Sequence, residues 1–585
     1  MIIGIDVGGT HTDGVLLGIN SPNGEGYEIL ATSKVRTQKD NLMKSILEVL
    51  DVLLAAAQVP DIKRIVLSTT LAANVIVEEN YDPVGLVLIP GPGLNPEHLL
   101  IGDENILLSG YINHRGIEVR DLEQEELLKG LERIKARGIK NLAIVSKFST
   151  RNPGLEAEVL QLIREKDYPF ENISLGHQLS GRLGFSRRLV TAYFNTAIMS
   201  VYRDFVQAVE KALEERELDT GVFVLKCDGG TVPLDRVMEA PIETVNSGPA
   251  ASIMGTMAMT GVYQNKETAI ALDIGGTTTD IGLFIKGEPA FMPEGIELNG
   301  FPTLVRGLYS LSLPLGGDSK IAVKDGKLKI GPERDGPAAA FGGPSPTPTD
   351  ALLVLDYIQD DPDYEGRADL QAAREALVAL AGDLDPTEYG RCWQDGKLDL
   401  TEFASFIIDK MLASIVETIQ EILASLENKP VYTISELLAG VEIRPQLLLT
   451  MGGPASALSP LLAEKLGYRE EVVPYAKVAN AVGAALARPT LQTTVRVDTA
   501  ASYLHIVEAG IHRQLKAGED YDLEEVEELA MAWTRKRADD ETAVVEISER
   551  ESFNVIRGFR TIGKIMEVRA QIKPGLISRP EGSEN

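Results

Sequence analysis

Asp6-Val7-Gly8-Gly9-Thr10-His11-Thr12-Asp13 recurs as Asp273-Ile274-Gly275-Gly276-Thr277-Thr278-Thr279-Asp280. Six of eight positions are identical at a constant offset of 267. Each copy follows an apolar run (Ile2-Ile3-Gly4-Ile5; Ile270-Ala271-Leu272) and leads into another (Val15-Leu16-Leu17; Ile281-Gly282-Leu283-Phe284). Both therefore read as strand, glycine turn, strand. Glycines let backbone N–H groups approach phosphate oxygens with no Cβ in the way. Thr10, Thr12, Thr277 and Thr279 add hydroxyl donors. Asp6 and Asp273, at the strand ends, suit Mg²⁺, directly or through water. Two copies from two lobes would clamp one phosphate chain from both sides. The bland alternative is a duplicated tight turn, but a turn alone requires neither the threonines nor both carboxylates. No Walker A motif occurs, so the chain is not a P-loop enzyme.

A third glycine element follows a strand: Leu447-Leu448-Leu449-Thr450-Met451-Gly452-Gly453-Pro454-Ala455. Close backbone approach at Gly452 and Gly453 suits a flat adenosine, with a helix starting near Leu458. The cofactors expected are thus ATP and Mg²⁺.

Outward from these motifs, strands and helices alternate. Strands are expected at 65–68, 85–89, 142–145 and 222–226, and helices at 40–57, 121–137, 154–166, 187–216 and 405–426. The amphipathic helix over 121–137 carries Leu127, Leu128, Leu131 and Ile134 on one face and ends at Gly138. Such alternation means α/β layers. The stretch 331–349 holds nine Pro and Gly residues and cannot be regular helix or central strand. It is either a linker or an ordered loop over the site. Beyond about residue 490, strands at 502–507, 543–547 and 561–572 around an acidic helix at 521–533 imply a small α+β domain.

The 585 residues carry 57 Lys+Arg against 86 Asp+Glu, a formal charge of −29. That argues against binding to nucleic acid or an anionic membrane. Two cysteines, Cys227 and Cys392, exclude a four-cysteine cluster or a disulfide framework, and both are expected to be buried thiols. No basic n-region precedes the first strand and no run of 18 uncharged apolar residues occurs, so the expected location is the cytoplasm. The histidines show no metal-ligand spacing. His11 either touches phosphate as a cation or packs neutral. Asn74 either lines a substrate or caps a helix. Asp228 either binds a ligand or serves the turn before Gly229-Gly230. Asp13 and Asp280 either join the site or brace their hairpins.

Phosphate turn, second phosphate turn and adenosine glycines, in that order, resemble the actin, sugar-kinase and Hsp70 ATPase superfamily. Within it the chain resembles the hydantoinase/oxoprolinase family, specifically the N-methylhydantoinase A type subunit. Ser68-Thr69-Thr70-Leu71-Ala72-Ala73-Asn74 resembles that family's HGTTxATN segment, and Cys227-Asp228-Gly229-Gly230 its SNGG. Ser247-Gly248-Pro249-Ala250-Ala251 resembles SGPAGG, Leu315-Gly316-Gly317-Asp318-Ser319 resembles GGGS, and the stretch through Thr347-Pro348-Thr349-Asp350-Ala351 resembles AGPxPGP…TDA. His11 stands where the family commonly has Phe, and Gly453-Pro454-Ala455-Ser456-Ala457 lacks the histidine of its GGAGPLHA.

The resemblance implies an α/β fold of two ribonuclease-H-like lobes with insertions: 1–185, an N-terminal lobe with the first phosphate turn; 186–490, an ATPase core with the second turn and the adenosine motif; and 491–585, the small C-terminal domain. It favours an ordered loop over 331–349. It implies ATP-dependent ring opening of a cyclic amide or imide, such as a hydantoin or 5-oxoproline, through phosphorylation of the carbonyl oxygen. Asp6 and Asp273 would act on the metal and orient the attacking group. Gly8, Gly9, Thr10, Thr12, Gly275, Gly276, Thr277 and Thr279 would hold phosphate. A second, B-type subunit and a homo-oligomeric state are the partners expected. The alternatives are a small-molecule kinase, the ATPase subunit of a carboxylase-like complex, or a nucleotide-driven reactivating chaperone.

Overall fold

The computed structural model describes residues 1–578 except 20–25, 39–40, 58–60, 103, 359–366, 383, 385–388, 395, 428–442 and 517. Two sheets repeat one plan. The first runs Thr231–Pro233, Gly221–Leu225, Arg64–Thr69, Ile2–Val7, His11–Ile19, Tyr27–Arg36. The second runs Arg469–Val472, Leu447–Met451, Ala269–Ile274, Thr279–Ile285, Glu288–Pro289. In each, an antiparallel hairpin carries the glycine turn, and two parallel strands extend the sheet beside its first strand. That doubled sheet is the mixed α/β architecture of the actin and sugar-kinase ATPases.

The first sheet takes strands Gly221–Leu225 and Thr231–Pro233 from beyond residue 185. The boundary expected at 185/186 therefore falls between elements of one lobe. What intervenes is a four-stranded parallel sheet, Asn172–Leu175, Asn141–Ser146, Val84–Ile89, Glu104–Leu107. Leu127, Leu131, Ile134, Leu155, Val159 and Ile163 from two flanking helices cover it. Strand Asn141–Ser146 is buried throughout, as a parallel strand covered on both faces must be.

The second lobe packs helices Pro348–Val354, Leu370–Ala381 and Leu400–Glu427 against its sheet. Asp350 is fully buried and accepts the N–H groups of Thr347, Ala339 and Ala340. This one carboxylate pins the Pro/Gly stretch, so residues 331–349 form an ordered loop.

Two helices join the lobes. Ser247–Met259 packs Ile253 and Met254 with Ala271 of the second sheet. Ala479–Leu486 packs Ala481, Val482 and Ala485 with Ile2, Val15 and Leu17 of the first. The C-terminal unit is a five-stranded antiparallel sheet covered by helix Leu523–Ala538, as expected for a small α+β domain. Its strand Glu546–Arg557 runs far beyond the expected 543–547. Both cysteines are buried and free. Among the described residues, no helix is long and apolar enough to cross a membrane.

Candidate active site

The repeat forms two matching hairpins. Gly8 N–H donates to His11 O at 3.0 Å, and Gly275 N–H to Thr278 O at 2.8 Å. Asp6 pairs with Asp13 and Asp273 with Asp280. Directly paired residues project to the same face, so each hairpin presents two carboxylates together. Gly9 and Thr10 are open at the first turn and Gly8 is partly open, as are Gly275, Gly276 and Thr277 at the second.

Thr12 and Thr279 do not face the open side of the turns. Both are fully buried. The Thr12 hydroxyl shares a hydrogen bond with that of Thr37 at 3.0 Å, and Thr37 Oγ1 donates to Gly8 O at 2.9 Å. Thr279 Oγ1 donates to Leu315 O at 2.7 Å. They brace the turns from behind, a correction to the ligand role expected for them.

Asp6 is buried, and its carboxyl is pushed up to about 7 by burial, with the charges of Asp13 and Asp273 adding to the rise. Hydrogen bonds from Ser68 and Asn480 oppose it. Asp280 is likewise raised to about 7, by burial and then by Asp273. Asp13 is raised by burial despite Lys34, whose Nζ lies 2.9 Å from Oδ1. Asp273 accepts Ser252 Oγ at 2.7 Å and Asn480 Nδ2 at 3.4 Å. Asn480, at the start of one linking helix, thus joins the carboxylates of the two lobes, while Ser252 reaches Asp273 from the other helix. Sequence reasoning missed both residues.

The donor set fits a divalent cation. Asp6 Oδ1 and Asn480 Oδ1 are buried with no hydrogen-bond partner among the described residues. No closed group of three or more His, Cys, Asp or Glu ligands exists among those residues. Mg²⁺ needs none, since it keeps several waters and takes one or two carboxylates plus phosphate oxygens.

The rest of the cleft is built close. Gly452 has φ +100°, and a Cβ there would lie 2.2 Å from Ile274 O and 3.0 Å from Asp273 Oδ1. Only glycine lets this strand end meet the second turn. Gly453 is exposed beside it, and helix Ala455–Leu466 starts three residues earlier than expected. Gly317 N–H and Asp318 N–H donate to Gly275 O and Gly276 O at 2.9 and 2.6 Å.

Register places Lys34 opposite Asp13 and Arg36 opposite His11. Arg334 from the second lobe pairs with Asp318 at 2.7 Å. The His11 pKa is lowered by burial and then by the charges of Lys34, Arg36 and Arg334. The ring is therefore neutral at neutral pH, and the cations at this mouth are its neighbours. The signal for Lys34 and Arg36 was their spacing of two on a third hairpin strand.

Asn74 sits in the first turn of helix Leu71–Val77 with Nδ2 3.3 Å from Thr70 Oγ1. Asp228 is buried, accepting Gly230 N–H at 3.0 Å and Thr490 Oγ1 at 3.0 Å, with Lys226 Nζ 3.6 Å away. Burial pushes its pKa up, but the Lys226 and Arg306 charges hold it below the usual value. It serves the turn and ties it to Thr490, the residue before the first strand of the C-terminal sheet. A cavity of about 1260 Å³ lies there, lined by Lys226, Asp228, Arg306 and Thr490, apart from the two turns.

The raised Asp6 carboxyl has a measurable consequence. Between its ordinary value near 4 and about 7, the folded state binds the extra proton, so stability is lost as pH rises through that window. Without divalent cation, Asp6→Asn should remove part of this loss. The melting temperature of the variant should gain on that of the wild type between about pH 4 and 7. Parallel melting curves would contradict the assignment of Asp6 as a buried, strained carboxylate.

Two lobes of one plan, each closing a glycine hairpin over paired carboxylates, give the chain the mixed α/β, actin- and sugar-kinase-like fold. Within that fold class the chain belongs to the hydantoinase/oxoprolinase family. The family's N-terminal region matches residues 2–167, and the hydantoinase/oxoprolinase region matches 188–493.

The acetophenone carboxylase gamma subunit of Aromatoleum aromaticum is 25% identical over 64% of this chain and 55% of its own length. Caprolactamase subunit alpha of Pseudomonas jessenii is 24% identical over 64% of this chain and 57% of its own length. The 5-oxoprolinase of Saccharomyces cerevisiae is 25% identical over 60% of this chain and 31% of its own. The chain thus spans little more than half the length of the two subunits and a third of the oxoprolinase. In structure, the ATP-dependent caprolactamase from Pseudomonas jessenii superposes with a TM-score of 0.70 at 19% identity, covering 97% of this chain and 87% of that one. Nucleotide-free acetone carboxylase gives 0.67 at 15% identity, covering 98% and 87%. These two share the fold over nearly the whole chain.

Proposed function

We propose that this chain is the ATP-using component of a cyclic amidohydrolase that opens a cyclic amide or imide such as a hydantoin or 5-oxoproline. The observation that carries the reading is the approach of Asp6 and Asp273 from opposite lobes, close enough for each charge to act on the other, with Asn480 donating to Asp273 at 3.4 Å and Asp6 Oδ1 left unpaired among the described residues. Such a pair suits a phosphoryl-transfer centre, where positioning and charge neutralisation do most of the work.

Backbone N–H groups at Gly9 and Thr10 and at Gly276 and Thr277 hold the phosphate chain of ATP from both sides, while the Gly8 and Gly275 N–H groups, spent on His11 O and Thr278 O, close the turns behind them; Gly452 and Gly453 flank the adenosine. Asp6 and Asp273 hold Mg²⁺, which neutralises phosphate charge when bound. Asn480 and Ser252 keep the two carboxylates in register, and Lys34, Arg36 and Arg334 set a positive field at the mouth. The substrate's carbonyl oxygen bonds to the terminal phosphorus as the bond to ADP breaks. The phosphorylated carbonyl carbon is then a stronger electrophile, and water attack leads to ring opening and phosphate release. The chain acts with a B-type second subunit, a reading supported by two relatives that are themselves subunits of larger enzymes.

The likeness to the acetophenone carboxylase gamma subunit favours a second reading, in which the same centre activates an enol oxygen for carboxylation. Phosphate release from ATP·Mg²⁺ should be measured with hydantoins, 5-oxoproline, caprolactam and small ketones, with and without a co-expressed second subunit. Turnover stimulated by a cyclic amide, with a ring-opened product, is expected. Stimulation by ketones and bicarbonate alone would replace the first reading with the second, and a stable phosphorylated product would make the chain a kinase.

A further inference from the structure

The C-terminal sheet carries an arm. Strands Glu546–Arg557 and Arg560–Ile572 pair along their whole length to a turn at Gly558-Phe559. The third strand, Leu491–Asp498, pairs with the second of these only from Ile565 onward. Thr499 and Ala500 touch Lys564 and Gly563, and the cover ends there. Among the described residues, the ribbon from Phe553 to Ile562 therefore stands with two strands and no layer on either face.

A free two-stranded ribbon is marginal in water. This one is also apolar where it is barest. Phe553 is 58% exposed, Ile556 66%, Ile562 48% and Phe559, at the tip, completely. Edge strands that must stay unpaired are guarded by charge. Here the guard covers only the base, with Glu546, Glu549, Arg550 and Glu551 along the strand that lies in the sheet. It is interrupted over Ser552-Phe553-Asn554-Val555-Ile556, where the ribbon leaves the sheet, and resumes only with cations, Arg557 and Arg560 at the tip and Lys564 on the return strand. Apolar exposure without that guard marks a surface built to be covered.

The charge of the arm indicates by what. Residues 552–566 hold Arg557, Arg560 and Lys564 and no acidic residue, in a chain of net charge −29. The same domain supplies the opposite field. Between Glu519 and Glu551 there are 13 acidic residues against four basic ones, seven of the acidic ones at 519–528, where helix Leu523–Ala538 begins; Glu519 and Glu527 pair with Arg513 and Arg550 of the same chain, and Asp520, Asp522, Glu524, Glu525 and Glu528 stand exposed. A cationic, apolar arm and an acidic helix start on one domain are complementary between two copies related by a twofold axis, each giving its arm to the other.

We propose that the arm Phe553–Ile562 docks on the acidic helix start of a second copy of this chain. The test is the mass in solution by size exclusion with light scattering, across a concentration series and at low and high salt. The wild type should be a dimer or a multiple of it, weakened by salt. The double variant Ile556→Ser/Phe559→Ser should be monomeric, with an unchanged circular dichroism spectrum and cooperative unfolding. Arg557→Glu/Arg560→Glu, which keeps the apolar contacts, should raise the dissociation constant by about tenfold or more. A wild type that stays monomeric at every concentration overturns the proposal, including the case in which the arm takes up only a different subunit. So does a serine variant that associates as the wild type does.

Discussion

Asp273→Asn should abolish ATP hydrolysis while the chain stays folded. The amide keeps the shape of the carboxyl group and an oxygen for Ser252 Oγ and Asn480 Nδ2, which now reach it at 2.7 and 3.4 Å. What it loses is the charge, and in the proposed reading the charge is what the centre uses. Asp273 raises the pKa of Asp6, Asp13 and Asp280 from where it sits, so all four carboxylates share one field. Removing it relieves the repulsion and should leave thermal stability equal or slightly higher. The cation loses a fixed counter-charge in a site shielded from water, and the phosphate chain loses the cation that this charge would hold, a loss of about 10²–10³-fold or more in kcat. Steady-state phosphate release, measured beside the melting temperature, separates the two effects. Unchanged hydrolysis would remove Asp273 from the centre and with it the reading of the repeat as a phosphate clamp.

The repeat makes most of the fold legible because each copy is a complete local unit: apolar strand, glycine turn, apolar strand, with carboxylates at matching positions. The pleat then sorts its residues, and the ligand role expected of two threonines fails there. Thr12 pairs with Val7 and Thr279 with Ile274, one step from the Asp6–Asp13 and Asp273–Asp280 pairs. One step along a strand reverses the face, so threonines adjacent to site aspartates must point inward. That alternation is written in the sequence itself. The role of Asn480 is not. It lies 207 residues from Asp273 on a short alanine-rich helix whose composition reads as core filler. Ser252 is equally quiet in its helix. Their roles arise where the two linking helices cross, a long-range event with no local pattern. The extent of the first lobe is hidden for a related reason, since its last two strands follow a whole inserted parallel sheet.

That crossing makes Gly483→Ala the sharpest probe of how the fold serves the site. A Cβ at Gly483 would lie 2.3 Å from Gly255 N and 2.4 Å from Ala251 O, both backbone atoms of the other linking helix. One at Gly255 would lie 2.2 Å from Ala479 O, and one at Gly4 2.1 Å from Ala481 O. Helix Ala479–Leu486 is therefore held against helix Ser247–Met259 and strand Ile2–Val7 by bare backbone, and no side chain can swing aside to admit a methyl group. The helices must part by about 1 Å, costing about 1–3 kcal/mol of stability as overpacking does elsewhere. Asn480 lies three residues from Gly483 on the same helical face, and Ser252 lies three from Gly255, so the displacement passes straight to both groups that hold Asp273. A misplacement of this size costs about 10²-fold in rate. The expected result is a folded protein with a lower melting temperature and ATP hydrolysis reduced about a hundredfold. Gly390→Ala, where the new methyl group meets nothing within 4 Å among the described residues, should change neither. If Gly483→Ala melts and hydrolyses as the wild type does, the helix crossing is not what aligns Asp6 with Asp273.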